Sequence, residues 1–367
     1  MIPAGLGGTR SGTRPRPAPE RSGGGSAREP PPARDHGPSD GRPDPEDPVP
    51  RPSLPPVLLL AGPGVLPGEA DLVALAEEHG REVAWLTAGT PLAPDVLDRV
   101  EACIPPLPHA LDATGWDALG RLPRLRLLQV LTSGTDWLRR VDLAGVRVAT
   151  SAGVADASVA ELVVALALAC RRDVVRHRDA LAAGAWEEDL VSPGLRGSRV
   201  VVVGAGGIGR AVSDHLAPFG VRLVRVARTA RPTEAGPVHA VAELPSLLPG
   251  TDVLVLALPL TDETAGLVDA RLLALLPDGA LVVNVGRGRL VDTDALVREV
   301  ASGRLSAALD VVDPDPLPAD HPLRSLPDAI VTPHVGRNTR DVDGRQAALL
   351  VERLREHLAG GPLATLV

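Results

Sequence analysis

The sequence of 367 residues contains neither lysine nor tyrosine, and its aromatic side chains are four tryptophans and one phenylalanine. All 38 basic residues are therefore arginines. The absence of lysine excludes Schiff-base catalysis and the phosphate-binding lysine of P-loop proteins. Together with the absence of tyrosine, it also excludes oxidoreductases that use a tyrosine–lysine pair as proton donor. Proton transfer must therefore use His, Asp, Glu or Cys.

The chain also has few cysteines, no positive net charge and no long apolar run. Cys103 and Cys170 are the only two cysteines and match no metal or redox spacing, which favours a reduced, cytoplasmic protein without a metal centre. The formal charge of -8 at pH 7 argues against nucleic-acid binding. Because no apolar run reaches the roughly 18 residues that span a bilayer, we expect no membrane partner.

Composition divides the chain into a tail and a folded part. Residues 1–52 are rich in Pro, Gly, Ser and Arg, which predicts a disordered extension without a catalytic role. Strand and helix patterns then alternate, which indicates a smaller open α/β layer. The predicted elements of this layer are strands at 57–61, 82–86, 125–131 and 146–149, and a helix at 69–78.

The most informative motif is a run of four valines followed by glycines. Val200–Val203 suits a strand buried on both faces, and the sequence GAGGIG at 204–209 then opens a helical pattern. Glycines at this spacing let the backbone approach a pyrophosphate at a helix N-terminus. The motif favours dinucleotide binding over a structural turn, and the predicted contacts are Gly204, Gly206, Gly207, Ile208 and Gly209.

Strand patterns continue after the glycine motif, at 221–226, 252–257, 280–285, 307–311 and 330–331. With residues 200–203, they predict six parallel strands of a doubly wound sheet, in which ligands bind beyond the carboxyl ends of the strands. The helix predicted at 156–172 is apolar on most faces, with Glu161 as its one interior charge. Such a helix must be buried, at a domain junction or a subunit interface.

The strand ends carry an ordered series of motifs: LPLT at 258–261, NVGRG at 284–288, DVVDPDP at 310–316 and TPHVG at 332–336. Through them, residues 56–367 resemble the D-isomer-specific 2-hydroxyacid dehydrogenases. The resemblance implies an α/β protein of two doubly wound parallel-sheet domains. A Rossmann NAD(P)-binding domain at 152–337 is expected to be inserted into a flavodoxin-like substrate domain at 53–151, which residues 338–367 complete.

The resemblance also implies roles for individual side chains. Arg287 matches the arginine that grips the substrate carboxylate and carbonyl oxygen, a task that suits the planar guanidinium. His334 matches the proton donor of the reduction, and Asp315 stands where the family has a glutamate that hydrogen-bonds this histidine. Asp315 is one methylene shorter, Asp313 is a rival for its role, and a solvated turn carboxylate is the remaining alternative.

Cofactor choice depends on the end of the second strand of the nucleotide-binding domain. NAD-using members of the family have an aspartate there, whereas this chain has Ala227 followed by Arg228 and Thr229, which offer a charge and a hydroxyl to a 2′-phosphate. We therefore expect NADP in preference to NAD, although Arg228 could also stack on adenine. The other cofactor contacts implied are Leu258, Pro259, Thr264, Val285 and, at the nicotinamide carboxamide, Asp310.

The substrate side is expected to use the loop Ser133-Gly134-Thr135, whose backbone amides would bind the carboxylate. The predicted function is hydride transfer between NAD(P)H and a small 2-oxo or 2-hydroxy acid, such as glyoxylate or a hydroxypyruvate-like acid, by a homodimer. The alternative is a dinucleotide-sensing, corepressor-like protein on the same fold with little turnover, because a fold alone does not determine function.

Overall fold

The computed structural model describes residues 54–361, which contain two parallel β-sheets. The tail predicted at 1–52 and the last six residues, 362–367, lie outside the described residues. Among the residues described, no helix combines the length and the apolar character that crossing a bilayer requires.

The first sheet has five parallel strands in the order β2-β1-β3-β4-β5, the flavodoxin-like order. Its strands are β1 (Val57–Ala61), β2 (Glu82–Leu86), β3 (Val100–Ile104), β4 (Leu127–Gln129) and β5 (Arg147–Ala149). The helices along this part of the chain are α1 (Glu69–Glu78), α2 (Pro94–Leu97) and α3 (Ala113–Leu119). Side chains of β1 alternate between the two faces, so Leu58 and Leu60 enter one core and Val57 and Leu59 the other.

The second sheet has seven parallel strands in the order β12-β11-β10-β9-β6-β7-β8. Its strands are β6 (Arg199–Val203), β7 (Arg222–Ala227), β8 (Val238–Ala240), β9 (Val253–Leu256), β10 (Ala280–Asn284), β11 (Leu305–Leu309) and β12 (Ala329–Val331). The strand order reverses between β6 and β9, which opens a crevice at their carboxyl ends.

Helices cover both faces of this second sheet. They are α4 (Asp156–Arg171), α5 (Val174–Ala182), α6 (Gly207–Leu216), α7 (Leu244–Leu247), α8 (Ala270–Leu273) and α9 (Thr293–Ala301). The valines of β6 pack against the helices on both faces of the sheet. Val200 and Val202 pack with α4 and α6, while Val201 and Val203 pack on the opposite face. Each of these valines is buried, as a parallel strand between two helical layers requires.

The chain returns to the first sheet through its last helix, α10 (Arg340–Leu358). Leu350 and Leu354 of this helix are buried in the same core as Leu58 and Leu72. The C-terminal helix therefore completes the core of the first sheet, although it follows the last strand of the second in sequence.

The structure contains two strands that the sequence analysis did not predict. The second sheet has seven strands rather than six, since the three-residue β8 offers too short a pattern to detect. The strand β3 was also missed, because Glu101 interrupts its apolar run. The helix predicted at 156–172 is α4, and in the single chain its Glu161 and Ala165 are exposed.

Candidate active site

The glycine motif forms a tight turn between β6 and α6. Gly204 has a φ of 115°, and a Cβ there would collide with the carbonyl of Ala257 at the end of β9. A Cβ at Gly209 would collide with the carbonyl of Gly204, so the turn and the helix can approach only with glycine at both positions. A Cβ at Gly206 would meet no atom within 4 Å. The backbone there faces open space at the start of a ten-residue helix, which suits a dinucleotide pyrophosphate.

A carboxylate that the sequence analysis missed lies against this cradle. Asp156, the first residue of α4, places its Oδ2 where a Cβ of Gly207 would be. Burial raises the pKa of Asp156, and a backbone hydrogen bond from Gly153 and the charges of Arg345 and Arg210 oppose that rise. Since 51 residues separate Asp156 from Gly207, no local pattern could have joined them.

The residues predicted to bind the adenosine half lie on two loops. Arg228 follows β7, is 77% exposed, and has its Nε 3.9 Å from the Oε2 of Glu263. Glu263 belongs to the loop that follows β9, in which Thr264 donates a 2.8 Å hydrogen bond to the carbonyl of Pro259 and accepts one from the amide of Thr261. The guanidinium thus faces this loop, and an exposed ion pair at such a distance holds it only weakly.

Arg287 follows β10 in a turn that a buried amide side chain maintains. Asn284 donates from Nδ2 to the carbonyl of Arg287 at 2.9 Å and accepts from the amide of Gly286 at 3.1 Å. A Cβ at Gly288 would collide with the carbonyl of Val312, so the turn packs directly on the neighbouring loop. Val285, also a predicted cofactor contact, is buried at this strand end.

The structure brings Arg287 onto the predicted substrate loop, Ser133–Thr135. A Cβ at Gly134 would collide with Nη2 of Arg287, so only glycine lets the two meet in this way. The carbonyl of Gly134 accepts hydrogen bonds from Thr132 Oγ1 at 2.7 Å and from Trp137 Nε1 at 3.2 Å. Within residues 54–361, the three backbone amides of this loop have no hydrogen-bond acceptor. They are available to a carboxylate.

His334 and Asp315 meet at the end of the edge strand β12. The His334 Nδ1 lies 3.2 Å from Asp315 Oδ2, and the two side chains are 53% and 46% exposed. An aspartate thus reaches the histidine in spite of its shorter side chain, at the long end of the hydrogen-bond range. The carboxylate of the rival Asp313 accepts no hydrogen bond from any residue the structure describes, and only its backbone carbonyl accepts one, from Thr293.

Asp310 holds the backbone turn that carries His334. Its buried Oδ1 accepts from Thr332 Oγ1 at 2.6 Å and from the amide of Val335 at 2.9 Å, and its Oδ2 accepts from the amide of Gly336 at 2.9 Å. The backbone carbonyl of Asp310 accepts from the amide of His334. These bonds maintain a φ of 56° at His334, a conformation that non-glycine residues seldom adopt. The predicted contact of Asp310 with a nicotinamide carboxamide stays a prediction.

Comparison with known sequences identifies similar proteins. The family model described as "D-isomer specific 2-hydroxyacid dehydrogenase, NAD binding domain" matches residues 164–336. The human glyoxylate reductase/hydroxypyruvate reductase is 32% identical over 306 residues, which cover 79% of this chain and 92% of the human protein. The hydroxypyruvate reductase of Thermotoga maritima is 35% identical over 219 residues, which cover 58% of this chain and 71% of that enzyme.

Solved structures share this architecture over most of the chain. A D-isomer specific 2-hydroxyacid dehydrogenase from Xanthobacter autotrophicus, in complex with NADPH and MES, has a TM-score of 0.70 at 32% identity and covers 84% of this chain and 97% of its own. The NADPH-dependent glyoxylate/hydroxypyruvate reductase from Sinorhizobium meliloti, in complex with NADP and malonate, has a TM-score of 0.69 at 26% identity and covers 85% of this chain and 96% of its own. The predicted fold class is thereby confirmed.

Because the carboxyl of Asp156 lies against the glycine turn, we expect the affinity for the cofactor to depend on pH. A pyrophosphate in the cradle disfavours the charged form of Asp156, so dinucleotide binding raises the pKa of this carboxyl further and takes up a proton. NADPH affinity is therefore expected to fall as pH rises between the pKa of the free protein and that of the complex. Asp156→Asn is expected to remove this dependence and to bind NADPH about three- to tenfold more tightly above that interval.

Fluorescence titration of NADPH between pH 5 and pH 9 measures this effect. Glu161→Gln is the matched control, since it removes a carboxylate from the same helix on an exposed face. Equal pH profiles for the wild type and Asp156→Asn would contradict the prediction.

Proposed function

As its motifs predicted, the chain belongs to the D-isomer-specific 2-hydroxyacid dehydrogenase family of NAD(P)-dependent oxidoreductases acting on CH–OH donors, and we propose that it reduces small 2-oxo acids with NADPH. The observation that carries the proposal is the meeting of Arg287 with the uncommitted amides of Ser133–Thr135, beside a His334–Asp315 pair at the same sheet edge. The relatives named glyoxylate or hydroxypyruvate reductase favour those two acids as substrates.

Arg287 and the loop amides bind the substrate carboxylate from two sides. Arg287 follows β10 and His334 follows β12, and these strands are two strand spacings apart, about 10 Å. The side chains of Arg287 and His334 therefore both reach a three-carbon acid. His334, with Nδ1–H directed at Asp315, uses Nε2 to donate a proton to the carbonyl oxygen. When bound at the cradle, NADPH supplies the hydride that C2 of the substrate receives. Asp315 keeps the imidazole in the required tautomer.

In this proposal the first sheet belongs to a substrate domain and the second to an NAD(P)-binding domain. We assign residues 53–151 and 338–367 to a substrate domain, which the packing of α10 on the first sheet supports. Residues 152–337 form the NAD(P)-binding domain of the proposal, which the match of the family model to residues 164–336 supports.

A homodimer in the cytoplasm completes the proposal. Apolar side chains are exposed along the segment that follows α4, namely Val174, Leu181, Trp186 and Val191, and a second copy of the chain would cover them. Cys103 and Cys170 are free thiols, which suits a reducing compartment. Sedimentation equilibrium gives the mass of the assembly, and a monomer at micromolar concentration would contradict the dimer.

Turnover of NADPH by the purified chain tests the activity itself. Oxidation of NADPH is expected with glyoxylate or hydroxypyruvate, and His334→Asn is expected to lower kcat by about 10²- to 10⁴-fold while NADPH still binds, because only proton donation is removed. Tight NADPH binding without turnover of any 2-oxo acid would favour the sensing protein instead. Normal turnover by Asp315→Asn would exclude the proposed pairing with His334.

Arg228 provides the test of cofactor preference. Arg228→Ala is expected to weaken NADPH binding about tenfold and to leave NADH binding unchanged, because only NADPH carries the 2′-phosphate. Arg222→Ala, an exposed arginine at the other end of β7, is the matched control. Equal weakening of both cofactors would indicate that Arg228 stacks on adenine, contrary to the proposed phosphate contact.

A further inference from the structure

The side chain of Arg287 is held by a carboxylate from the other sheet. Its Nε donates to Oδ1 of Asp136 at 3.0 Å, and the two side chains are only 28% and 26% exposed. Asp136 begins a short 3₁₀ turn, Asp136–Arg140, directly after the predicted substrate loop. A carboxylate and a guanidinium that are both largely removed from water form a charge-assisted hydrogen bond with a defined geometry.

This contact determines which edge of the guanidinium is free. Arg287 has five N–H groups; Nε is committed to Asp136 and one proton of Nη1 to the carbonyl of Gly286 at 2.8 Å. The Nη2 group lies against Gly134. The donors left are on Nη1 and Nη2, on the edge that forms a two-point contact with a carboxylate. Without an acceptor at Nε, the guanidinium could rotate away from that orientation.

We propose that Asp136 is a positioning residue for substrate binding, which fixes Arg287 so that its Nη1–Nη2 edge receives the substrate carboxylate. The proposal rests on the proposed function, in which Arg287 binds that carboxylate. Asp136 makes its contribution through Arg287, because its hydrogen bond goes to Nε and not to the edge that faces the substrate.

A second ion pair between the same turn and the second sheet provides a control. Arg139 donates from Nη1 to Oδ1 of Asp262 at 2.8 Å, but these side chains are 60% and 92% exposed. A solvated pair of this kind contributes little to stability. Arg139→Gln therefore removes a connection between the two sheets but keeps both partners of the Asp136–Arg287 hydrogen bond, and so separates positioning of Arg287 from docking of the sheets.

Steady-state kinetics of the full-length enzyme with glyoxylate and NADPH provide the test. Asp136→Ala is expected to raise KM about tenfold or more, with a smaller fall in kcat and an NADPH Kd within twofold of wild type. Asp136→Asn keeps an oxygen acceptor for Nε, so its KM is expected within about threefold of wild type. Arg139→Gln is expected to match wild type. Thermal melts establish that each variant is folded.

The proposal is overturned if Asp136→Ala keeps the wild-type KM, or if Arg139→Gln raises KM as much as Asp136→Ala does. If Asp136→Ala does not fold, Asp136→Leu and Asp136→Asn replace it in the test. A wild-type KM for Asp136→Leu, or a large rise in KM for Asp136→Asn, then overturns the proposal.

Arg287→Gln separates this proposal from the proposed function. A wild-type KM for Arg287→Gln would show that Arg287 does not bind the carboxylate, and both proposals would fail together. A large rise for Arg287→Gln with none for Asp136→Ala would overturn the role of Asp136 alone. In the double variant, Asp136→Ala is expected to add no further rise in KM, since its effect passes through Arg287.

Discussion

The positions of the functional side chains on the second sheet depend on the parallel pairing of β6 with β7 and of β9 through β12. Parallel strands all end at one edge of the sheet, so the loops after β6, β10, β11 and β12 meet there although they are far apart in sequence. The reversal of strand order between β6 and β9 separates the helices above that edge and leaves the crevice in which ligands of this fold bind. Burial of the valine strand on both faces maintains this geometry.

Two buried polar side chains shape the loops at that edge. Asn284 and Asp310 are almost completely removed from water, where an unpaired amide or carboxylate would cost roughly 1–3 kcal/mol or more. Each satisfies its hydrogen-bonding groups with the backbone of the turn that follows, Asn284 at Arg287 and Asp310 at His334. The cost of leaving these groups unpaired therefore acts to keep each turn in the conformation that presents its functional side chain.

The residues that sequence reasoning could identify are those with a local signal. Four valines before a glycine turn, or a histidine after a strand, can be recognised because the strand, the turn and the side chain are contiguous. Asp136 and Asp156 had no such signal: their partners Arg287 and Gly207 lie 151 and 51 residues away, and only the packing of the folded chain brings them together. The strands β3 and β8 were missed for local reasons, because Glu101 interrupts the apolar run of β3 and β8 has only three residues.

The charges around Arg287 explain why the first sheet must contribute neutral hydrogen-bond donors to the substrate site. Asp136 already supplies one negative charge to this guanidinium, so a substrate carboxylate would be the second anion on a single cation in a partly buried site. Two anions around one cation are unfavourable unless further donors share the charge. The uncommitted amides of Ser133–Thr135 are such donors, and they are neutral, so they add no repulsion toward the arginine. Carboxylate recognition is therefore a joint property of both sheets, and any motion that separates Asp136 from Arg287 also removes the amides from the substrate.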